Sequence, residues 1–305
     1  MIFREETIRT ALEIGISQRY TEYFLLNQRP NNLMSLSTEI TSKTSATNLT
    51  WITASAVVQQ WVGTLSVQTI PIQDYTLRSL AWAAGYQIDQ HLIEDDEFGL
   101  FASAPEALIF SLLRKPRAIL IERLQNGLTQ VAYDGVPFFS NKTGVRINDN
   151  LLSGTGITLD KLGDDLQKAR VAMMTFKDVN DNIRGVEGNV IVCSPSLERK
   201  FLTLTQSATD ATGTVADTFN PFSRYTVIVV PELELGNDVN SWYLLATNEG
   251  GASSKISPRP FITITRQGPR LELERSKGTH FWDTSVNTRG NVVYGLPRMA
   301  VKVMN

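Results

Sequence analysis

Apolar residues recur along the chain with both helical and strand periods, which together predict a mixed α+β fold. Residues 158–178 predict an amphipathic helix, with a shared apolar face at Leu159, Leu162, Leu166, Ala169, Met173 and Phe176. A long helix is predicted from the capping box Ser103-Ala-Pro-Glu106 to Asn126-Gly127, with a kink or break at Pro116. A shorter helix is predicted at residues 196–205. Strands are predicted at residues 189–193, 225–230 and 241–246, with three or four more between 260 and 303.

A long stretch in the first third of the chain carries almost no charge. Residues 47–91 contain three charged side chains, Asp74, Arg78 and Asp89, and three of the five tryptophans, Trp51, Trp61 and Trp82. Alternating apolar residues predict strands here, with a turn at residues 70–75. Such apolar surface is rarely left bare, so the segment is interpreted as an extended β-element that docks on another subunit. The candidate contacts, each equally a candidate core residue of its own subunit, are Trp61, Tyr75, Trp82 and Tyr86.

Opposite charges are concentrated in two distant segments. Residues 86–106 carry six acidic side chains and no Lys or Arg, whereas residues 255–305 carry nine basic side chains and three acidic ones. Two interpretations stay open: two solvated faces, or complementary patches that meet between neighbouring subunits and fix their register. For the second interpretation, the candidate contact residues are Glu94, Asp95, Asp96, Arg266, Arg270 and Arg275.

Residues 1–45 are predicted to form an N-terminal arm. Ile8, Leu12 and Ile16 recur at helical spacing and predict an amphipathic helix. The following run, residues 35–50, is rich in Ser and Thr and is predicted to be extended. Because it has too few apolar residues for a core of its own, we expect it to lie along another subunit or to remain mobile.

Composition narrows the class of protein. With 305 residues the chain can form one large domain or two smaller ones. Its net charge of −2 gives no global basic field to attract nucleic acid. Cys193 is the only cysteine, which excludes an intramolecular disulfide and fits a reducing cytosol. The first residues lack the pattern of a signal peptide, and no segment is apolar enough to predict a membrane helix.

Few side chains suggest catalysis or ligand binding. His91 is close in sequence to Asp89 and the acidic run, but nothing in the spacing enforces a metal geometry. His280 is interpreted as a packed strand residue and Cys193 as a small core residue. Neither a nucleophile elbow nor a phosphate-binding loop occurs. The sequence therefore predicts no catalytic residue, no metal site and no cofactor.

Several segments resemble the major capsid proteins of tailed phages, and more narrowly the major head subunits of Mu-like phages. They are Trp61-Val-Gly63 with residues 86–96, residues 124–139, residues 188–198, Asn220-Pro-Phe with Trp242-Tyr-Leu-Leu, and Arg259-Pro-Phe-Ile with residues 266–272. Each motif is short, but the five occur in the family's order and together cover about residues 50–305. The first 45 residues resemble the N-terminal arm of the family in general character but share no motif with it.

The resemblance implies an HK97-like capsid fold of the α+β class. It implies an N-arm at residues 1–45, an extended β-hairpin called the E-loop at 46–93, a peripheral domain with a spine helix and β-sheet at 94–129 and 251–305, and an axial domain at 130–250. In some shells of this fold, a lysine of the E-loop forms an isopeptide crosslink with an asparagine of a neighbouring subunit. Residues 46–92 contain no lysine, so no such crosslink is expected through this loop.

The function implied by the resemblance is that of a major head protein. Copies are expected to form pentamers and hexamers of an icosahedral-type shell around packaged double-stranded DNA, without sequence-specific binding and without a membrane. Scaffold, portal and cement proteins are possible partners, with assembly in the host cytoplasm and a final place in the virion. The alternatives are an encapsulin-like nanocompartment shell, or a soluble enzyme or ligand-binding protein that uses the acidic run around His91.

Overall fold

The computed structural model describes residues 32–52, 72–89, 91, 104–141, 146–178, 180–207, 220–236, 238–247, 259–275 and 280–305. The helices in these stretches are α1 (Ala104–Gln125), α2 (Leu159–Met174) and α3 (Pro195–Gln206). The strands are β1 (Ser37–Thr41), β2 (Ala46–Ile52), β3 (Ile72–Arg78), β4 (Leu80–Asp89), β5 (Leu151–Ser153), β6 (Val190–Cys193), β7 (Thr226–Val229), β8 (Trp242–Leu245), β9 (Phe261–Arg275), β10 (Phe281–Tyr294) and β11 (Ala300–Met304). Helices and sheets mix along the chain, as predicted for the α+β class.

The first sheet has the strand order β1-β9-β10-β4. β9 and β10 form a long antiparallel hairpin, and β4 pairs antiparallel with β10. The register of the hairpin shifts between Asn287 and Gly290, where a Cβ on Gly290 would lie 2.7 Å from the backbone oxygen of Ile264. Glycine is therefore required at this close approach of the two strands.

β4 differs from its predicted role. Residues 80–93 were expected in the extended hairpin, whereas Leu80–Asp89 form an edge strand of the first sheet. Trp82, Ala84 and Tyr86 are partly buried, and the residues between them are exposed. This two-residue period gives the strand one covered face, and β10 satisfies its backbone hydrogen bonds along one edge.

The segment before β2 also differs from its prediction. Residues 35–50 are extended as predicted, in β1 and β2, but they were expected to lie along another subunit or to remain mobile, whereas β1 pairs in parallel with the start of β9 in the same subunit. Leu33 and Leu36, just before β1, are buried in the core. The Arg259 guanidinium donates to the backbone oxygens of Ser35 at 2.8 Å and Ser37 at 3.0 Å. Two buried leucines and one arginine therefore anchor a segment whose own composition is polar.

The second sheet has the strand order β5-β11-β8-β6-β7. Alternate residues of β6 enter different cores: Val190 and Val192 lie on one face, and Ile191 and Cys193 on the other. α2 and α3 cover the second face with the side chains Leu162, Leu166, Ala169, Met173, Leu197, Phe201 and Leu204. The predicted apolar face of α2 is thus confirmed, with the helix ending at Met174.

β11 belongs to this second sheet and pairs with β5 and β8. The predicted assignment of all residues 251–305 to one domain together with the spine helix therefore does not match the sheets. The physical reason is burial on both faces, since Ala300–Val303 are all buried. In this sheet β11 also pairs with β5 on one edge and β8 on the other, which satisfies its backbone hydrogen bonds.

One core joins the first sheet, α1 and the second sheet. α1 runs from Ala104 to Gln125 through Pro116, so the single long helix is confirmed and, of the predicted kink or break, the break does not occur. Leu120 and Leu124 of α1 share this core with Phe261, Val292 and Tyr294 of the first sheet, Tyr243 of the second sheet and Phe138 of the chain that follows α1. The Phe138 and Tyr294 rings stack with centroids 4.5 Å apart, and the Tyr294 hydroxyl donates to the Arg123 backbone oxygen at 2.7 Å.

Candidate assembly surfaces

β2 and β3 form a two-stranded antiparallel hairpin in which Leu49 lies opposite Tyr75. Tyr75 and Leu49 pack against a small cluster of Leu77, Ile262, Ile264 and Val293, which attaches the base of the hairpin to β9 and β10. Asp74 and Thr76, on the other face of β3, are exposed. The predicted turn at residues 70–75 is wrong from Ile72 onward, because these residues continue β3. Residues 53–71 lie outside the described ranges, and with them the first part of the predicted turn.

Tyr75 contacts its own subunit. Its ring lies edge-on to Tyr133 with centroids 6.4 Å apart. Burial raises the pKa of Tyr75, an effect that the positive charge of Arg123 partly offsets. The side chain therefore supports the hairpin base, which was the alternative role considered for each aromatic candidate.

Trp82 also packs within its own subunit. Its indole N–H donates to the backbone oxygen of Gly290 at 3.1 Å, and the Lys115 ammonium lies 4.3 Å from the ring centroid. The ring adjoins a cluster formed by Leu112, Leu113 and Val286. Within the subunit, the side chain thus connects β4 to α1 and β10.

Tyr86 lies on the same face of β4 as Trp82 and opposite Thr284 of β10. Its hydroxyl oxygen is buried and makes no hydrogen bond with the described residues. Desolvation raises the pKa of Tyr86 to about 12. A phenol in this environment stays protonated, and its position indicates a role in the subunit.

The remaining candidate contacts are divided between described and undescribed residues. Trp61 and the acidic residues Glu94, Asp95 and Asp96 lie outside the described ranges. Arg266 is partly buried and Arg270 is exposed, both on β9. The backbone of Arg275 pairs with Trp282 at the far end of the hairpin.

The exposed surface near Arg270 carries mixed charge. Glu272 and Glu274 follow it on the same side of β9 and are also exposed. Glu272 accepts a hydrogen bond of 2.9 Å from the Asn287 side-chain amide. Two other bases of residues 255–305 are used inside the subunit, Arg259 at β1 and Lys302 against Asp238. The excess of basic residues in residues 255–305 therefore does not produce a uniformly basic surface.

The chain's two histidines meet at one end of the first sheet. His91 follows β4 and His280 precedes β10, and their ring centroids are 5.2 Å apart. Sequence reasoning missed this contact because the two residues are far apart in the chain and neither lies in a motif. Only a prediction that β4 pairs with β10 would have brought the two histidines together, and the sequence did not predict that pairing. Within the described ranges, no three His, Cys, Asp or Glu side chains converge as a metal cluster.

Cys193 behaves as the small core residue that was predicted. It is fully buried in β6, and burial raises the pKa of its thiol to about 12. A thiol with such a pKa is not a nucleophile at neutral pH.

No helix in the described part of the chain is long and apolar enough to cross a membrane.

Comparison with known proteins identifies the class. The major capsid protein of Escherichia phage Mu is 20% identical over 284 residues, covering 90% of this chain and 92% of that protein. The Mu-like prophage FluMu major head subunit of Haemophilus influenzae is 26% identical over 156 residues, covering 50% of each chain. The capsid of a native GTA particle aligns with a TM-score of 0.59 at 11% identity, over 89% of each chain.

The likeness in structure shows that the two sheets and three helices form an HK97-like capsid fold. Residues 74–303 match the family model described as phage capsid protein, and because the match covers most of the chain, this protein belongs to that family. It is a major capsid protein, a structural component of the phage virion. The predicted fold and capsid function are therefore confirmed.

Proposed function

We propose that this chain is the major head subunit of a Mu-like phage, and that its copies form the pentamers and hexamers of an icosahedral-type shell around double-stranded DNA. The observation that carries the proposal is the family match over residues 74–303, which contains α1, α2 and α3 and, apart from β1, the strands of both sheets. The low net charge of −2 favours enclosure of the DNA without sequence-specific binding. Closed symmetry repeats each contact many times, so individual contacts can be modest.

Each part of the fold then has a role in assembly. The first sheet and α1 form the peripheral domain, and the second sheet with α2 and α3 forms the axial domain around the five- and sixfold centres. The hairpin β2–β3 and the intervening residues 53–71 form the E-loop, which reaches a neighbouring subunit. The N-arm is the chain before Leu33. Relative to the sequence-based boundaries, β4 moves from the E-loop to the peripheral domain and β11 moves to the axial domain.

Of the four aromatic candidates, Trp61 is the one we assign to the contact between subunits. Tyr75, Trp82 and Tyr86 have contacts or burial within the subunit that account for them. Trp61 lies in sequence between β2 and β3, on the segment expected to reach furthest from the hairpin base. A large aromatic side chain at such a position is typical of an interface hot spot.

Expression of the whole chain, followed by size-exclusion chromatography and negative-stain electron microscopy, tests the proposal. We expect closed particles, tubes, sheets or rings of five and six subunits, either from the chain alone or after coexpression with its genomic neighbours, including any scaffold and portal proteins. Nuclease-protected double-stranded DNA in particles made with the portal would distinguish a phage head from a nanocompartment with enzyme cargo. A small fixed oligomer in both expression formats would contradict the proposal.

A further inference from the structure

We propose that His91 and His280 form a binding site for a divalent transition-metal ion such as Zn²⁺ at the open end of the first sheet. The site does not depend on the proposed shell architecture. It consists of the only two imidazoles in the chain, which come from positions far apart in sequence and lie beside each other. Both residues are exposed, so an ion can enter from solvent.

The separation of the two rings suits one shared ion. A metal–nitrogen bond of about 2.0–2.1 Å puts each ring centroid about 3.2 Å from the ion, and a tetrahedral angle then separates the centroids by about 5 Å. The observed separation is 5.2 Å, and the ring planes are tilted by 43°. Coordination requires one nitrogen of each ring to point at the ion, and rotation about the last side-chain torsion sets that direction.

The backbone at the site is held by the sheet. Phe281, next to His280, pairs with Asp89 of β4. The Asp89 carboxylate accepts the backbone N–H of His91 at 2.9 Å, which fixes the chain as it leaves the strand. The two imidazoles therefore lie just beyond the paired ends of β4 and β10, and this pairing brings them together.

The donor atoms decide which ions can bind. Imidazole suits Zn²⁺, Cu²⁺ and Ni²⁺, whereas Mg²⁺ and Ca²⁺ prefer oxygen ligands. Within the described residues the two imidazoles are the ligands, because no three His, Cys, Asp or Glu side chains converge there. A bound ion would connect the chain after β4 to the chain before β10 and close a long loop, which stabilises the end of the sheet.

Isothermal titration calorimetry of the full chain with ZnCl₂ at pH 7.5 tests the site. We expect His91→Gln and His280→Gln each to weaken Zn²⁺ binding at least tenfold, and an excess of MgCl₂ not to displace the ion. Zn²⁺ should raise the unfolding temperature of the unsubstituted chain and of neither variant.

The matched control is the double variant Asp95→Asn/Asp96→Asn, which alters the acidic run close to His91 in sequence. We expect this variant to keep its affinity for Zn²⁺. Equal unfolding temperatures of all variants in EDTA would establish that each one folds. If the histidine variants bind Zn²⁺ as tightly as the unsubstituted chain, or only the acidic variant loses binding, the proposed site is wrong.

Discussion

Lys302 Nζ lies 2.8 Å from Asp238 Oδ2, although the lysine side chain is completely buried in the second sheet and the aspartate is partly exposed. The ammonium also lies 5.6 Å from the centroid of the Tyr243 ring. A buried cation without a partner is far more costly than an exposed carboxylate without one. The two ends of this ion pair therefore make unequal contributions to stability.

We predict that Asp238→Asn lowers the free energy of unfolding by about 1–3 kcal/mol, because it leaves the buried Lys302 without its counter-charge. Lys302→Met should cost less, since methionine fills a similar volume and Asp238 can be hydrated at the surface. Urea unfolding of the unassembled subunit at pH 7 measures both. A larger loss for Lys302→Met than for Asp238→Asn would contradict this account.

Trp82 and Trp61 should separate subunit stability from assembly. Trp82→Ala removes a partly buried ring, its hydrogen bond to Gly290 and its contact with Lys115, and we expect a loss of about 2–4 kcal/mol in the free energy of unfolding. If Trp61 contacts a neighbouring subunit as proposed, Trp61→Ala should change the unfolding free energy of the isolated subunit by less than about 0.5 kcal/mol. It should nevertheless abolish closed particles.

Circular dichroism during denaturation measures the first property, and negative-stain microscopy measures the second. Tyr86→Phe is a control on the same strand as Trp82, because it removes a hydroxyl that makes no hydrogen bond with the described residues. It should change neither property. Normal particles from Trp61→Ala would remove the assignment of this tryptophan to a contact between subunits.

Local features of this fold could be predicted from sequence because they depend on neighbours in the chain. The apolar face of α2 follows from spacing alone, and Leu162, Leu166, Ala169 and Met173 are all buried as expected. The capping residues of α1 gave its start within one residue of Ala104. The family motifs gave the fold itself, since each retains residues at recognisable spacing.

Strand partners could not be predicted in the same way. β4 pairs with β10, and the alternating pattern of Trp82, Ala84 and Tyr86 is as compatible with a hairpin as with an edge strand. β11 is an apolar run whose sheet depends on neighbours distant in sequence. The contact of His91 with His280 is a consequence of the β4–β10 register, so it could be seen only once that pairing was known.

Cys193 and two buried tyrosines should make the subunit sensitive to alkali. Burial raises the pKa of Cys193 to about 12 and also raises the pKa values of Tyr243 and Tyr294. The folded state therefore keeps protons that the unfolded chain releases, so the stabilisation is complete below the thiol's ordinary pKa of 9.0 and is lost as the pH rises toward 12.

For the thiol alone, we expect unfolding free energy to fall by about 1–2 kcal/mol more between pH 9 and 10.5 in the original chain than in Cys193→Ala. Guanidinium unfolding at several pH values measures the two slopes. If the unfolding free energies of the two proteins fall with pH at the same slope, the thiol does not contribute to the loss of stability in alkali. A thiol reagent at pH 8 should react with Cys193 only as the chain unfolds, because the side chain is fully buried in the native subunit.

The charge asymmetry of the sequence leads to a prediction for assembly. If Arg270 contacts the acidic run of a neighbouring subunit, Arg270→Glu places like charges in that contact. We expect a yield of closed particles about tenfold lower at low salt, with a smaller difference at 0.5 M NaCl because salt screens exposed charges. The exposed position of Arg270 implies that the subunit itself remains folded.

A compensating change distinguishes a specific contact from a general effect of charge. Because every subunit carries both segments, adding Asp95→Lys and Asp96→Lys to Arg270→Glu should restore particle formation, whereas the two lysines alone should impair it. Arg199→Glu, at an exposed position on α3, is the matched control and should assemble normally. Failure of the compensating pair to restore particles, together with normal unfolding curves, would favour the other interpretation, in which the acidic and basic segments are separate solvated faces.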